Sequence, residues 1–122
     1  MLEVFKREVA AVVQRLELMK GSSESLLLCL IGRQPMYGYQ IIKELEKRSQ
    51  GYFKFKEGTL YPALHRLEKS GLIEGKWEML PSGRQRRYYH ITEKGNKLLE
   101  EKITQWQDFL YAMNLIIRPA TP

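Results

Sequence analysis

The chain has 122 residues, of which 43% are hydrophobic and 28% charged, with a formal net charge of +6 and one cysteine. This is the size and balance of one globular domain with, at most, long terminal helices, and it excludes wholesale disorder. No apolar run approaches the ~20 residues that cross a bilayer, charges interrupt the N-terminal stretch where a signal peptide would be apolar, and Cys29 alone makes neither an internal disulfide nor a zinc cluster, so a reducing, cytoplasmic location is expected.

In chain order, Leu2, Phe5, Val9, Val12, Leu16 and Met19 step by threes and fours, the spacing of a coiled-coil-like seam on a helix ending near Lys20. Gly21-Ser22-Ser23 reads as a break, with Ser22 or Ser23 capping a short buried helix that carries Leu26 to Ile31 and stops before Pro35. A third helix is expected from Tyr37 to about Ser49, with Ile41, Ile42 and Leu45 inward and Lys43, Glu46, Lys47 and Arg48 outward. A fourth runs from about Glu57 to Ser70. Its Leu60, Leu64 and Leu67 lie within roughly 60° of one another, Pro62 lies opposite near the helix start, and Gly71 is a suitable C-cap. The period then changes. Leu72–Glu78 and Arg86–Ile91 are rich in aromatic and β-branched residues, and Pro81-Ser82-Gly83 supplies the turn of a hairpin. Thr92 caps a last helix reaching about Ile117, with a seam of Leu99, Ile103, Trp106, Leu110, Met113 and Ile117.

Short helices followed by a hairpin with a basic tip give a mainly α fold with a small β-hairpin, a winged helix-turn-helix. The expected division is an N-terminal amphipathic helix over 1–20, the winged unit over 21–92, a C-terminal helix over 93–118 and a tail over 119–122. The small domain does not need the two terminal seams, so pairing between two copies of the chain is the economical use for them.

No catalytic set is present. His65 and His90 have no Cys, Asp or Glu at ligand spacing, so no metal is expected, and Gly58-Thr59 lacks the spacing of a phosphate-binding loop. Cys29 lies among leucines, where a structural thiol is favoured over a nucleophile. No cofactor is implied. The basic residues say more. Arg84, Arg86 and Arg87 gather on the hairpin, and no acidic residue stands between Met79 and Thr92. The outer side of the fourth helix offers Thr59, Tyr61, His65, Arg66 and Lys69, donors suited to phosphates and base edges. The third helix would cross the backbone with Tyr39 and Lys43. Each of these is also what a solvated surface looks like; adjoining one another, they favour duplex DNA.

Three stretches together, Tyr37-Gly38-Tyr39-Gln40-Ile41, Gly58-Thr59-Leu60-Tyr61-Pro62-Ala63-Leu64-His65-Arg66-Leu67-Glu68 and Gly83-Arg84-Gln85-Arg86-Arg87-Tyr88-Tyr89-His90-Ile91-Thr92-Glu93-Lys94-Gly95, resemble the PadR family of transcriptional regulators over about Lys20 to Leu110. The resemblance implies a homodimeric bacterial winged-helix repressor whose C-terminal helix completes the dimer. Small aromatic or drug-like molecules often control such proteins. The single C-terminal helix is similar to the smaller of the family's two size classes. The segment before Gly21 is longer than the usual lead-in, and Lys56-Glu57 stands where a small polar cap is common, which frees Lys56 for a phosphate.

The expected partners are therefore an inverted-repeat DNA operator and a second copy of the chain. Trp106, with Phe109 and Leu110 beside it, either packs a core or dimer interface or lines a pocket there in which a planar aromatic ligand stacks between two indoles. The alternative reading is a winged-helix protein-interaction module without specific DNA binding. Gly38 and Gly95 are expected to allow close helix packing, and of the neighbours Tyr88 and Tyr89 one should turn into the core.

Overall fold

The computed structural model describes the backbone of residues 2–118, together with the side chains of that range except those of residues 8–22. Seven elements follow one another: α1 (Leu2–Arg33), β1 (Met36–Tyr37), α2 (Gly38–Arg48), α3 (Glu57–Lys69), β2 (Ile73–Met79), β3 (Gln85–Ile91) and α4 (Glu93–Ile117). This is the winged helix-turn-helix expected, with two differences. The separation into two helices at Gly21-Ser22-Ser23 is corrected: α1 is continuous for 32 residues. One glycine inside a helix costs only about 1 kcal/mol against alanine, and serine far less, so helix-forming neighbours on both sides carry the chain across. The hairpin also gains a third strand. The two residues of β1 pair antiparallel with β3, Met36 opposite Tyr89 and Tyr37 opposite Tyr88, giving the sheet order β1-β3-β2.

The core lies where α1, α2 and α3 meet the base of the sheet. Leu27, Leu28 and Ile31 come from α1, Ile41 and Leu45 from α2, and Leu60, Ala63, Leu64 and Leu67 from α3, all buried together with Met36, Ile73 and Tyr89. Each fully buried leucine contributes about 1.5–3 kcal/mol. Tyr89 is thus the tyrosine that enters the core; Tyr88 stays on the other face, its ring meeting Tyr37 edge-on at 5.5 Å between centroids.

The termini of α3 and α4 explain how the outer elements are held. Gly71 follows α3 with φ +76°, the left-handed conformation that a glycine supplies, and the Leu72 N–H returns to the Leu67 carbonyl at 3.0 Å. At the start of α4 the Thr92 hydroxyl accepts the Gly95 N–H at 3.1 Å and donates to the Gly71 carbonyl at 2.6 Å. The Lys94 ammonium donates to the Ser70 carbonyl at 2.8 Å. A Cβ at Gly95 would run into the Leu72 carbonyl oxygen and the Ile91 side chain, so this glycine does set a close crossing. Leu98 and Leu99 pack on the core, Leu99 close to Gly32 of α1. Leu99, expected on the intermolecular seam, is therefore half-buried against its own chain. From Phe109 onward α4 is exposed.

Candidate nucleic-acid interface

The leucine face of α3 fixes what its other side can do. With Leu60, Leu64 and Leu67 buried, Thr59, Tyr61, His65, Arg66 and Lys69 are all solvent-exposed, as the helical spacing requires. Thr59 and His65 make no side-chain hydrogen bond among the described residues. Arg66 does: its Nε donates to Glu24 of α1 at 3.1 Å, which ties it to the scaffold. Lys56, exposed, holds the N-cap position of α3 without a side-chain cap bond. Pro62 lies in the second turn rather than at the helix start, and it removes the hydrogen bond to the Gly58 carbonyl. Gly58 is exposed, so water can take that carbonyl.

Tyr61 leans against the start of α2: a Cβ at Gly38 would collide with its ring and hydroxyl. The close packing expected at Gly38 is therefore a tyrosine slot. Next to Gly38 on α2, Tyr39 is exposed, and the ammonium of Lys43, one turn further on, stands 5.1 Å from its ring centre. Hydrogen bonding to the Tyr39 side chain holds the Lys43 pKa above the ordinary lysine value, so this lysine is fully charged at neutral pH.

The three wing arginines separate. Arg84 lies in the exposed turn before β3. Arg86 and Arg87 are neighbours on a strand and face opposite ways. Arg86 lies over the Tyr37 ring at 3.9 Å from its centre, and hydrogen bonding to the Tyr88 side chain raises its pKa further above the arginine value. Arg87 turns toward α3, where its Nη2 donates to Glu68 Oε2 at 2.6 Å. The expectation that no carboxylate neutralises the wing arginines is thus corrected: no acid lies between Met79 and Thr92, but α3 delivers one from outside that stretch. The same Glu68 oxygen accepts the Gly75 N–H from β2 at 2.9 Å. Sequence reasoning missed Glu68 because its partner lies 19 residues away.

Of the seam residues, Leu2 and Phe5 are exposed, while Val9, Val12 and Leu16 lie outside the described side chains, as the tail 119–122 lies outside the described backbone. Ile103, Leu110, Met113 and Ile117 are exposed. Trp106 is half-buried and its indole meets Phe109 edge-on at 5.8 Å. A groove of about 290 Å³ opens elsewhere, between α1 and α2, on Leu26, Cys29, Leu30, Arg33, Leu45, Arg48, Ser49 and Phe53. Burial pushes the Cys29 thiol up, against a smaller lowering by Arg33. Among the described residues no His/Cys/Asp/Glu group could hold a metal ion, and no helix is long and apolar enough to cross a membrane.

Known proteins share this arrangement. The crystal structure of a PadR-like transcriptional regulator from Bacillus cereus is 34% identical, covers 85% of this chain and 99% of its own, and superimposes with a TM-score of 0.76. A PadR family transcriptional regulator from Eggerthella lenta, 30% identical with a TM-score of 0.72, covers 97% of this chain and 99% of its own, so the likeness there takes in nearly all of the long α1. The uncharacterized protein X of Lysinibacillus sphaericus is 34% identical over 103 residues, 84% of this chain and 94% of its own length. Residues 27–101, which contain α2, α3 and the wing, match the model of the transcriptional regulator PadR-like family. The chain is a member of the PadR-like family of transcriptional regulators, a regulator and not an enzyme.

Proposed function

We propose that the chain is a homodimeric, sequence-specific DNA-binding protein of the cytoplasm that acts as a repressor. One observation carries the reading: the exposed side of α3, with Thr59, Tyr61 and His65, abuts α2 at Gly38 and the wing at Glu68, so three elements present their polar groups side by side. α3 enters a major groove, where Thr59, Tyr61 and His65 stand near base edges. Tyr39 and Lys43 of α2, Lys56 at the start of α3, and Arg84 and Arg86 of the wing hold phosphates; these set affinity and register rather than sequence. The apolar end of α4 and the seam of α1 pair with a second copy, which doubles the reading surface. A planar aromatic ligand held between the two Trp106 indoles would release the operator by changing the spacing of the two α3 helices.

Selection of bound duplexes from a random pool, at stated salt, tests this. The expected product is an inverted repeat with half-sites about one helical turn apart, roughly 34–36 Å, or a multiple of it. A pool that stays random refutes base reading. The same result with a partner protein captured by the exposed end of α4 is what the alternative, a protein-interaction module, requires; the bare apolar residues from Phe109 to Ile117 are the observation in its favour.

A further inference from the structure

Arg87 belongs to the wing in sequence, but its guanidinium reaches across to α3. Its guanidinium donates to Glu68, and it lies so close over Gly75 that any side chain there would displace it. Its Nε is buried and has no hydrogen-bond partner among the described residues. Its side chain is 37% exposed against 28% for Glu68, so the pair is half out of water, and its 2.6 Å length marks a charge-assisted bond. Trp77, opposite Arg87 in the β2–β3 register, has the Arg87 Cζ 5.9 Å from its ring centre, and the Tyr89 ring lies 5.8 Å away. On the acid's side, Glu68 also takes the Gly75 N–H. β2 is an edge strand, so that N–H would otherwise point at solvent.

We infer that Glu68, Arg87 and Gly75 form a strut that fixes the angle of the wing to the recognition helix, and that Arg87 is a positioning residue rather than a phosphate ligand. This rests on the DNA-binding reading for its consequence, though not for its mechanics. Three features fit together only in this role. The carboxylate lies within roughly 60° of Tyr61 and His65 around α3, where a bare negative charge would repel a phosphate backbone; Arg87 neutralises it. The glycine leaves room for the guanidinium. The hydrogen bond to Gly75 binds the second strand, so one carboxylate oxygen grips both strands of the hairpin. Arg84 and Arg86, which have no carboxylate partner among the described residues, remain to meet DNA.

The decisive variant is Gly75→Ala, because it dislodges Arg87 without changing any charge; Glu68→Gln is its companion. On the free protein, amide exchange in β2 and β3 should quicken about threefold to tenfold in both, while the core helices keep their protection. In a Trp106→Phe background, Trp77 emission should shift in both. On the selected operator, Gly75→Ala should raise Kd roughly tenfold, the cost of ordering a loosened wing on binding. If Arg87 were instead a phosphate ligand held in check by Glu68, both variants would free it and tighten binding. Tighter or unchanged binding by Gly75→Ala, or hairpin exchange at the wild-type rate in both variants, overturns the strut. If no duplex binds the wild-type protein, the DNA reading fails, and the exchange measurement still decides the strut.

Discussion

At the scale of single residues, the glycines separate into those that space demands and those it does not. At Gly95 the obstacle to a side chain is the Leu72 carbonyl, which is backbone and cannot move aside. Gly95→Ala should therefore lose about 2–3 kcal/mol through overpacking, read as a lower urea midpoint. At Gly58 in the exposed first turn of α3, nothing beyond its chain neighbours and its own helix backbone lies within 4 Å of where a Cβ would stand. Gly58→Ala should gain up to about 1 kcal/mol. A destabilised Gly58→Ala would mean that this turn needs the glycine backbone. Cys29 offers a chemical test at the same scale. Burial raises its pKa, so the folded state favours the neutral thiol. Its contribution to stability is present below the ordinary thiol value, hence at neutral pH, and is lost as pH climbs from that value through the raised one. Iodoacetamide at neutral pH should accordingly react more slowly with the folded chain than with the urea-unfolded chain; equal rates would place the thiol in open solvent.

At the scale of elements, Thr92 is the joint on which α4 turns. Its hydroxyl both caps α4 through Gly95 and holds the loop after α3 through Gly71. Thr92→Ala should cost about 1–2 kcal/mol, and Thr92→Ser, which keeps the hydroxyl, should recover most of it. Equal loss in both would mean that the methyl group matters and the cap does not. This cap was legible in the sequence because it is local: a threonine, then a glutamate, then an apolar period of three and four. So were α3, which Leu60, Leu64 and Leu67 orient, and the hairpin, where Pro81-Ser82-Gly83 turns a β-period back on itself. The continuity of α1 was not, because Gly21-Ser22-Ser23 has the composition of a break, and the small helix cost of three such residues is outweighed by the helix-forming residues on either side. β1 was not, because two residues carry no periodicity; Met36 and Tyr37 become a strand only once β3 lies beside them. In the candidate site, exposure of Thr59, Tyr61 and His65 followed from the leucines behind them. The division of the wing arginines did not, since the ion pair that draws Arg87 toward α3 joins residues that sequence order holds apart.

At the scale of the whole molecule, the unresolved demand is the apolar end of α4. Phe109, Leu110, Tyr111, Met113, Leu115, Ile116 and Ile117 are exposed on the single chain, and Leu2, Val4 and Phe5 at the start of α1 are exposed too. Apolar residues exposed in such number on a chain this small call for cover, and a second copy supplies a matching set. The chain should sediment at twice its 14.4 kDa mass. Leu110, 52% exposed and touching no core, can be charged without harming the winged unit, so Leu110→Glu should give a folded monomer. The consequence for DNA then separates dimerisation from base reading. A monomer keeps the same α3 and wing, and its affinity for a duplex with one half-site should be that of the wild-type chain. On the full inverted repeat a dimer would bind through two linked contacts, and the variant should lose the roughly 10²–10⁴-fold gain that linkage gives. Loss of affinity on both duplexes would mean that α4 supports the reading head itself, and full affinity on both would mean that one copy of the chain reads the whole operator.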